Sequence, residues 1–438
     1  MLLTHLESLL APDASLVVAF SGGLDSTVLL HQLTIWQQQH PAASVRALHV
    51  HHGLSPHADV WARHCKTICQ QWHIPCKVLH VQVDGREKGI EAAARQARYQ
   101  ALSAQLRPGD TLLTAQHLDD QCETLLLALK RGSGPAGLAA MPQQMMLDNH
   151  PLLRPLLGCS RQQLEAWAAT YQLRWVDDES NQDTRYDRNF LRQTLLPPLL
   201  ARWPHFASAA ARSAALCGEQ EQLLDELLAE QLASLMQPDG SLAITSLLSM
   251  SEARRNALIR RWIAQQGGNM PSRATLSRLW QEVMLSRADA QPRLQLGQHE
   301  IRRYRQQLYW LRCWSSLRAQ VLSWPDLARP LALPQDLGWL QAQPTAAGGL
   351  RWPCADEQVS VRFQAQGYYH LVGRAGGREM KKIWQEKGIA PWLRERIPLI
   401  YFNQTLMGAP GLFITREGDA GSEPGWLADW QHNRIAEQ

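Results

Sequence analysis

Length, composition and charge exclude several classes of protein. The chain has 438 residues, of which 45% are hydrophobic, enough for two or three domains with buried cores. No apolar run reaches the roughly 18 residues that span a membrane, and the first residues lack the pattern of a secretory signal. The eight cysteines include no C-x-x-C pair, which argues against a disulfide framework and a zinc or iron–sulfur site. We therefore expect a cytoplasmic globular protein, and its net charge of +4 does not by itself indicate a polyanion-binding surface.

The first 215 residues alternate apolar strand-like runs with helical patterns. The runs predict strands at 16–20, 45–51, 76–83 and 111–115, and the patterns predict helices at 27–38, 58–72 and 91–106. This alternation is typical of an α/β domain with a doubly wound, mostly parallel sheet. Ligands bind beyond the carboxyl ends of the strands in such sheets, so we expect the site there.

A glycine-containing loop joins the first predicted strand to the first of these helices. Its glycines allow a tight turn and a close approach of the backbone, while hydroxyls and free N–H groups at the helix start can surround phosphate oxygens. The Walker lysine and the G-x-G-x-x-G pattern are both missing. We predict an ATP-binding loop, with a simple helix-capping turn as the alternative. The loop consists of Ser21, Gly22, Gly23, Leu24, Asp25 and Ser26.

Acidic residues follow the fourth predicted strand, where the next helix begins. Asp120 and Glu123 are three residues apart and therefore share a helix face near its first turn. Acids in a first turn often only complement the helix dipole. Because these two lie on the edge that carries the glycine loop, we predict that they bind Mg²⁺ or an amine.

Histidines and arginines supply further candidates on the same edge. His51 ends the second predicted strand, and we interpret it as part of a nucleotide pocket, since His51 and His52 point to opposite faces and do not share a metal ion. Arg95 and Arg98 lie on one side of a helix and could clamp a carboxylate or a phosphate. A structural salt bridge is an equally good interpretation of these two arginines.

The rest of the chain divides by composition into four segments. We predict a connecting helix in 216–240, an arginine-rich RNA-binding domain in 241–318, a proline-rich linker with little core in 319–353, and a C-terminal domain in 354–438. The planar guanidinium of arginine matches phosphate oxygens and stacks on bases, which favours an RNA-binding surface. The alternative interpretation is that these arginines form an ordinary solvated face of a helix. The candidate RNA contacts are Arg254, Arg255, Arg260, Arg261, Arg302, Arg303 and Arg305, with Lys381 and Lys382 of a basic helix in the last domain.

Several motifs together resemble one family, the bacterial tRNA(Ile)-lysidine synthetases among the PP-loop ATP pyrophosphatases. The matching motifs are SGGLDS at 21–26, HHGLS at 51–55, RQARY at 95–99, HLDDQCET at 117–124, KRGSG at 130–134, DDESN at 177–181 and RNFLR at 188–192. The last three are the more diagnostic, because other PP-loop enzymes do not share them. Members often carry two histidines in the fourth motif, whereas this chain has Gln116 before His117.

The resemblance implies an ATP-dependent ligase that joins lysine to C2 of the wobble cytidine in the isoleucine tRNA with a CAU anticodon, through an adenylated cytidine. It implies ATP and Mg²⁺ as cofactors, catalytic roles for Asp25, Asp120 and Glu123, and His117 as the remaining histidine for moving a proton. Asp25 and Asp120 would hold the metal ion. Arg95, Arg98 and Glu123 would bind lysine, and Arg188 and Arg192 would bind tRNA.

Three other functions stay open at this stage. A tRNA sulfurtransferase would need a reactive cysteine, and only Cys122 lies near the inferred site. A ligase for a small metabolite would leave the arginine-rich segment unexplained, and an RNA-binding protein with a degenerate loop would leave the carboxylates unexplained. The sequence does not choose between a monomer and a homodimer.

Overall fold

A computed structural model describes residues 2–83, 90–287 and 290–431. It divides into two compact units, residues 1–227 and 228–438. Within the described ranges, no helix combines the length and the apolar character needed to cross a membrane.

The first unit alternates strands and helices. Its strands are β1 (Ser15–Ala19), β2 (Ser44–His51), β3 (Cys76–His80), β4 (Asp110–Leu113), β5 (Gln144–Leu147) and β6 (His150–Leu153). Its helices are α1 (Leu2–Leu9), α2 (Leu24–Gln39), α3 (Ala58–Gln71), α4 (Ile90–Ser103), α5 (Leu118–Lys130), α6 (Pro135–Leu138), α7 (Arg161–Thr170), α8 (Asp187–Phe190), α9 (Leu196–Arg202) and the first part of α10 (Phe206–Leu235), whose residues 228–235 belong to the second unit. A 3₁₀ turn covers Glu179–Gln182, and a π-helical stretch, Leu191–Leu195, joins α8 to α9.

The six strands form one sheet in the order β3-β2-β1-β4-β6-β5. All neighbours pair in parallel except β5 and β6, which form an antiparallel hairpin. Successive strands run outward from β1 to β3, and β4 then returns to the other side of β1. The strand order therefore reverses between β1 and β4, and the carboxyl ends of these two strands flank the crevice in which such sheets bind ligands.

The four predicted strands are confirmed, with ends that shift by at most three residues. The third strand stops at His80 instead of continuing to residue 83. The side chains of β1 and α2 form the centre of a core with Phe20, Leu29 and Trp36, all at most 1% exposed. An apolar strand and the helix after it thus bury their shared face, which fixes the loop between them.

The second unit begins with a small α+β region. Its strands are β7 (Leu242–Ala243), β8 (Arg293–Leu296), β9 (His299–Tyr304) and β10 (Gln307–Arg312), in the antiparallel order β7-β10-β9-β8. Its helices are α11 (Thr245–Leu248), α12 (Glu252–Gln265) and α13 (Arg273–Arg278), the last continued by a π-helical stretch at Leu279–Met284. Leu258, Trp262 and Ile301 lie in its core.

The remainder of the second unit is mostly antiparallel sheet. The largest sheet has the order β11 (Val321–Ser323), β14 (Val359–Arg362), β17 (Leu399–Phe402), β18 (Thr405–Ala409) and β19 (Phe413–Ile414). A second sheet has the order β12 (Leu331–Ala332), β13 (Trp339–Thr345) and β20 (Gly425–Gln431), and β15 (Tyr368–Tyr369) pairs with β16 (Arg378–Glu379). One helix, α14 (Met380–Glu386), packs on this region through buried Ile383 and Trp384.

The interpretation of residues 319–353 as a linker with little core is wrong. Trp324, Leu340 and Leu350 are at most 4% exposed and pack in one cluster with Phe402 and Trp426. The prolines of this segment lie in and between short strands that pair with later parts of the chain, including β13 with β20. Proline frequency indicated a break in regular structure, and a small sheet built from short strands produces the same frequency.

Candidate active site

The candidate active site lies at the carboxyl ends of β1, β4 and β6. The glycine loop follows β1, His117 and the acidic residues follow β4, and Arg161 begins the helix after β6. Because β4 pairs with both β1 and β6, the loops after these strands meet at one edge of the sheet. The predicted position of the site is therefore occupied by the predicted residue types.

The glycine loop is held by its own hydroxyls. The Ser21 and Ser26 Oγ atoms are 2.9 Å apart, and Ser26 Oγ also donates to the Gly23 carbonyl at 3.1 Å. Gly23 is the N-cap of α2 and supplies no side-chain cap, so the first N–H groups of this helix are left for a ligand. Free N–H groups and a helix dipole at one point form a phosphate-binding site.

Gly22 is the position in this loop that requires glycine. Its φ angle is +86°, and a Cβ atom there would lie 2.7 Å from the Cys65 sulfur. Its carbonyl accepts a hydrogen bond of 3.0 Å from the backbone N–H of Val176, in the segment before the DDESN motif. The loop is thus fixed between helix α3 and a backbone contact that its own sequence does not reveal.

His117 lies at the centre of the acidic cluster and is fully buried. It caps helix α5: its Nδ1 accepts the backbone N–H of Asp119 at 3.2 Å, while its own N–H donates to Asp120 Oδ2 at 3.1 Å. With Nδ1 an acceptor, Nε2 of the neutral ring carries the proton. That atom lies 3.4 Å from Asp120 Oδ2 and 3.7 Å from Asp25 Oδ2. Nε2 is buried and has no hydrogen-bond partner among the described residues, although it faces both carboxylates.

Arg192 holds the two acids of the first turn of α5. Its guanidinium bonds both Glu123 oxygens, at 2.7 and 3.1 Å, and Asp120 Oδ1 at 2.8 Å. Burial raises the pKa of the fully buried Glu123, although Arg192 opposes this shift. The geometry places Arg192 among the carboxylates, where Nε and Nη2 are already in use, so it does not support the prediction that Arg192 contacts tRNA. Its neighbour Arg188 bonds Thr124 Oγ1 at 3.3 Å and also faces this helix.

Asp25 projects from the glycine loop toward the cluster. Burial raises its pKa, while His117 and Arg161 favour its charged form and lower the pKa. Its Oδ1 is buried without a hydrogen bond, and Arg161 Nη1 is 3.8 Å from it. Sequence reasoning missed Arg161; the only available signal was its place directly after Ser160, at the start of a helix that follows a strand.

The other predicted nucleotide and lysine contacts lie at the end of β2 and on α4. His51 Nε2 is 3.1 Å from Asp59 Oδ1. Arg98 Nε donates to His52 Nε2 at 3.4 Å, and the Arg95 guanidinium lies 5.3 Å from the Tyr99 ring centroid. Both interpretations of these two arginines, a clamp for an anion and a structural salt bridge, stay predictions.

The predicted arginine surface of 241–318 is only partly exposed. Arg255 and Arg261 are each 8% exposed, Arg255 lies 3.5 Å from the Trp280 ring centroid, and Arg261 donates to the Ala257 carbonyl. Arg254 is exposed and Arg260 is half-buried on the same helix. The prediction that all four face RNA is therefore wrong for Arg255 and Arg261.

The remaining basic candidates differ in their exposure and in the bonds that they already make within the protein. Arg302 pairs with Glu300 at 2.7 Å, and Arg303 donates to the carbonyls of Met284 and Ser286. Arg305 is exposed and donates to the Gln385 carbonyl at 3.3 Å. Lys381 and Lys382 are both exposed on α14, opposite its buried face.

Comparison with known proteins covers nearly the whole chain. A PP-loop domain model matches residues 2–199, a TilS substrate binding domain model matches 242–309, and a TilS substrate C-terminal domain model matches 359–430. The tRNA(Ile)-lysidine synthase of Shigella flexneri is 56% identical over 422 residues, which are 96% of this chain and 97% of that protein. The tRNA(Ile)-lysidine synthase of Escherichia coli O157:H7 is 55% identical over 97% of this chain and 98% of that protein.

A solved structure is also similar in part. The U34-tRNA thiolase NcsA from Methanococcus maripaludis aligns with 49% of this chain and 76% of its own, at 16% identity and a TM-score of 0.43. The full-length relatives, with more than half of their residues identical to this chain, decide the family. The chain belongs to the tRNA(Ile)-lysidine synthase family.

Proposed function

We propose that this chain uses ATP to join lysine to C2 of the wobble cytidine of an isoleucine tRNA with a CAU anticodon, releasing AMP and pyrophosphate. The observation that carries the proposal is the crevice between β1 and β4. There a phosphate-binding loop faces carboxylates that are held in place by Arg192 and His117. ATP, lysine and tRNA meet in the cytoplasm, where we place the protein.

In the first step, cytidine O2 attacks the α-phosphate of ATP, and pyrophosphate leaves. The N–H groups at the start of α2, with the Ser21 and Ser26 hydroxyls, are positioned to hold phosphate oxygens. Positioning and neutralisation of charge supply most of the catalysis in transfers at phosphorus. The product is an adenylated cytidine, in which C2 carries a good leaving group.

In the second step, the lysine ε-amine attacks C2, AMP leaves, and the attacking nitrogen loses a proton. The amine must be neutral to react, although its ordinary pKa is about 10.4. Asp120 and Glu123 are the carboxylates proposed to orient the amine, through lone pairs that their bonds to Arg192 and to the His117 N–H leave free. Because burial raises the pKa of Glu123, that carboxylate is the better suited of the two to accept the proton. Arg95 and Arg98 are the candidates for the lysine carboxylate.

The residues also fit a magnesium ion. Mg²⁺ in nucleotide sites is held by one or two carboxylates, water and the phosphates themselves. Asp25 Oδ1 is a buried oxygen without a hydrogen bond, whereas both Asp120 oxygens already accept donors. No group of three or more metal-binding side chains occurs in the described ranges, which agrees with an ion held mainly by substrate. Asp25 would be its principal protein ligand, with Asp120 second, and the ion would neutralise phosphate charge.

The tRNA contacts belong to exposed basic side chains of the second unit. Arg254, Lys381 and Lys382 are exposed, and Arg260 is half-buried, so their charges are available to phosphates. Arg255 and Arg261 are left out because they are buried. Sulfur transfer to a base has less support, since Cys122 is fully buried and burial raises the pKa of its thiol to about 11.

A direct assay tests the proposal. Purified protein is incubated with isoleucine tRNA, ATP and radiolabelled lysine, beside reactions that lack each component. Label is expected in the RNA only when all are present, with AMP and pyrophosphate released. Asp25→Asn should reduce the rate about 100-fold or more, because it removes a charge from the site, while tRNA binding is unchanged. Release of pyrophosphate without lysine in the RNA would contradict the proposal.

A further inference from the structure

Arg161 lies beside Asp25 of the glycine loop, and in the part of the chain that the structure describes its terminal nitrogens make no hydrogen bond. Its Nε donates to Glu165 at 3.1 Å, and its Nη1 lies 3.8 Å from Asp25 Oδ1, beyond hydrogen-bond distance. Among the residues that the structure describes, Nη1 and Nη2 have no hydrogen-bond partner. The Arg161 side chain is 37% exposed, so a ligand can reach it.

Arg192 provides the contrast. Its guanidinium makes three hydrogen bonds of 2.7 to 3.1 Å to two carboxylates, and its side chain is 31% exposed. A guanidinium engaged in this way organises its partners and has few donors left for substrate. Two arginines therefore border one crevice, one engaged with the carboxylates and the other open beside the ATP loop.

The backbone fixes where Arg161 stands. Its N–H donates to Asp119 Oδ2 at 2.8 Å, which ties the start of α7 to the start of α5. The capping box between Ser160 and Gln163 occupies further donors of this helix end. Protein groups thus accept the backbone N–H groups of Arg161 and Gln163 at the start of α7. An anion at this position would therefore bind the Arg161 side chain.

We propose that Arg161 binds the β- or γ-phosphate oxygens of ATP and then the departing pyrophosphate. The inference rests on the proposed use of ATP and assigns a residue that none of the sequence motifs contains. A planar guanidinium forms paired hydrogen bonds with phosphate oxygens, and these charge-assisted bonds are stronger than neutral ones.

Calorimetric titrations of the full-length protein with ATP, inorganic pyrophosphate and AMP, without tRNA and lysine, test this assignment. Arg161→Gln should weaken the binding of ATP and of pyrophosphate by about 10-fold or more, because each ligand loses a hydrogen bond to a charged group. AMP, which lacks the β- and γ-phosphates, should bind as in the wild type. The affinities of Arg161→Lys for ATP and pyrophosphate should lie between those of the wild type and Arg161→Gln, since lysine keeps the charge but cannot form the paired hydrogen bonds of a guanidinium.

The controls separate binding from folding. The Arg161 backbone bond to Asp119 survives any of these substitutions, so the thermal unfolding midpoint should stay unchanged. Arg63→Gln removes an exposed arginine from α3 in the same unit and should leave all three affinities unchanged. Equal ATP and pyrophosphate affinities in wild type and Arg161→Gln, or an equal loss for AMP, would overturn the inference.

The outcome is also separable from the proposed function. Wild-type protein that binds ATP and pyrophosphate through Arg161 but attaches no lysine to tRNA would contradict the proposed function alone. Wild-type protein that attaches lysine while Arg161→Gln keeps full pyrophosphate affinity would contradict the Arg161 assignment alone. Wild-type protein that binds neither ATP nor pyrophosphate would overturn both.

Discussion

Replacing Arg192 by glutamine should loosen the start of α5, because it leaves the buried Glu123 without its cation. Removing one member of a buried ion pair costs about 3–5 kcal/mol. Arg192 is 31% exposed, so water can replace part of its three hydrogen bonds. We therefore expect a loss of about 2–3 kcal/mol in the free energy of local opening, below the range for a fully buried pair.

The loss should depend on pH in a defined direction. Burial raises the pKa of Glu123 in the folded protein, so ionisation of this group opposes folding once the pH exceeds its unfolded pKa. Without Arg192 the folded pKa rises further. The penalty should then be smaller near about pH 5 than near about pH 8, because lower pH favours the neutral form of Glu123 and higher pH favours its uncompensated anion.

Hydrogen exchange over residues 118–130, corrected for the intrinsic effect of pH, measures this opening without assuming that the whole chain unfolds at once. A loss of about 2–3 kcal/mol corresponds to exchange that is about 30-fold to 150-fold faster near about pH 8. The double variant Glu123→Gln, Arg192→Gln should recover much of the protection, since it buries no charge. Arg185→Gln, which breaks an exposed pair with Asp183, should change nothing measurable. Equal losses at both pH values, or no recovery in the double variant, would refute the reasoning.

Two further predictions concern the thiol and the RNA surface. Cys122→Ala should leave lysine attachment close to the wild-type rate, because a buried thiol with a raised pKa takes no part in amine attack; complete inactivation of the folded variant would favour sulfur chemistry. Arg254→Ala should weaken tRNA binding and lower the salt dependence by about one unit, as expected for one lost phosphate contact. Arg255→Ala should instead lower the thermal unfolding midpoint with the salt dependence unchanged, because Arg255 packs on Trp280; a reduced salt slope in that variant would place Arg255 at the RNA after all.

The sequence predicted the parallel sheet and the position of its site because both depend on short-range patterns. An apolar run followed by SGGLDS and a helical pattern already contains a strand, a turn and a helix start. The contacts of that loop were not predictable in the same way. Val176 bonds Gly22 from more than 150 positions away in the chain, and its apolar side chain carries no sign of a backbone hydrogen bond.

The errors on the arginines have a geometric cause. Arg255 precedes Leu258, Ile259 and Trp262 by three, four and seven positions, so helical spacing places it on the apolar face of α12. A count of arginines along the sequence does not show which of them lie on the buried face of the helix. A guanidinium tolerates such burial because its plane can stack on an aromatic ring, as Arg255 does on Trp280.

The roles of Asp120 and Glu123 in α5 could not be predicted from the fact that both are acidic, because their surroundings come from distant parts of the chain. Two carboxylates one helical turn apart, one of them fully buried, would tend to hold a shared proton and bind a cationic amine poorly. Arg192 bonds both carboxylates and favours the charged form of Glu123, while the backbone N–H of His117 donates to Asp120 Oδ2. The arrangement of carboxylates beside the glycine loop thus depends on an arginine some 70 residues away from the acids that it bonds. Substituting Arg192 should therefore affect the use of lysine before the use of ATP.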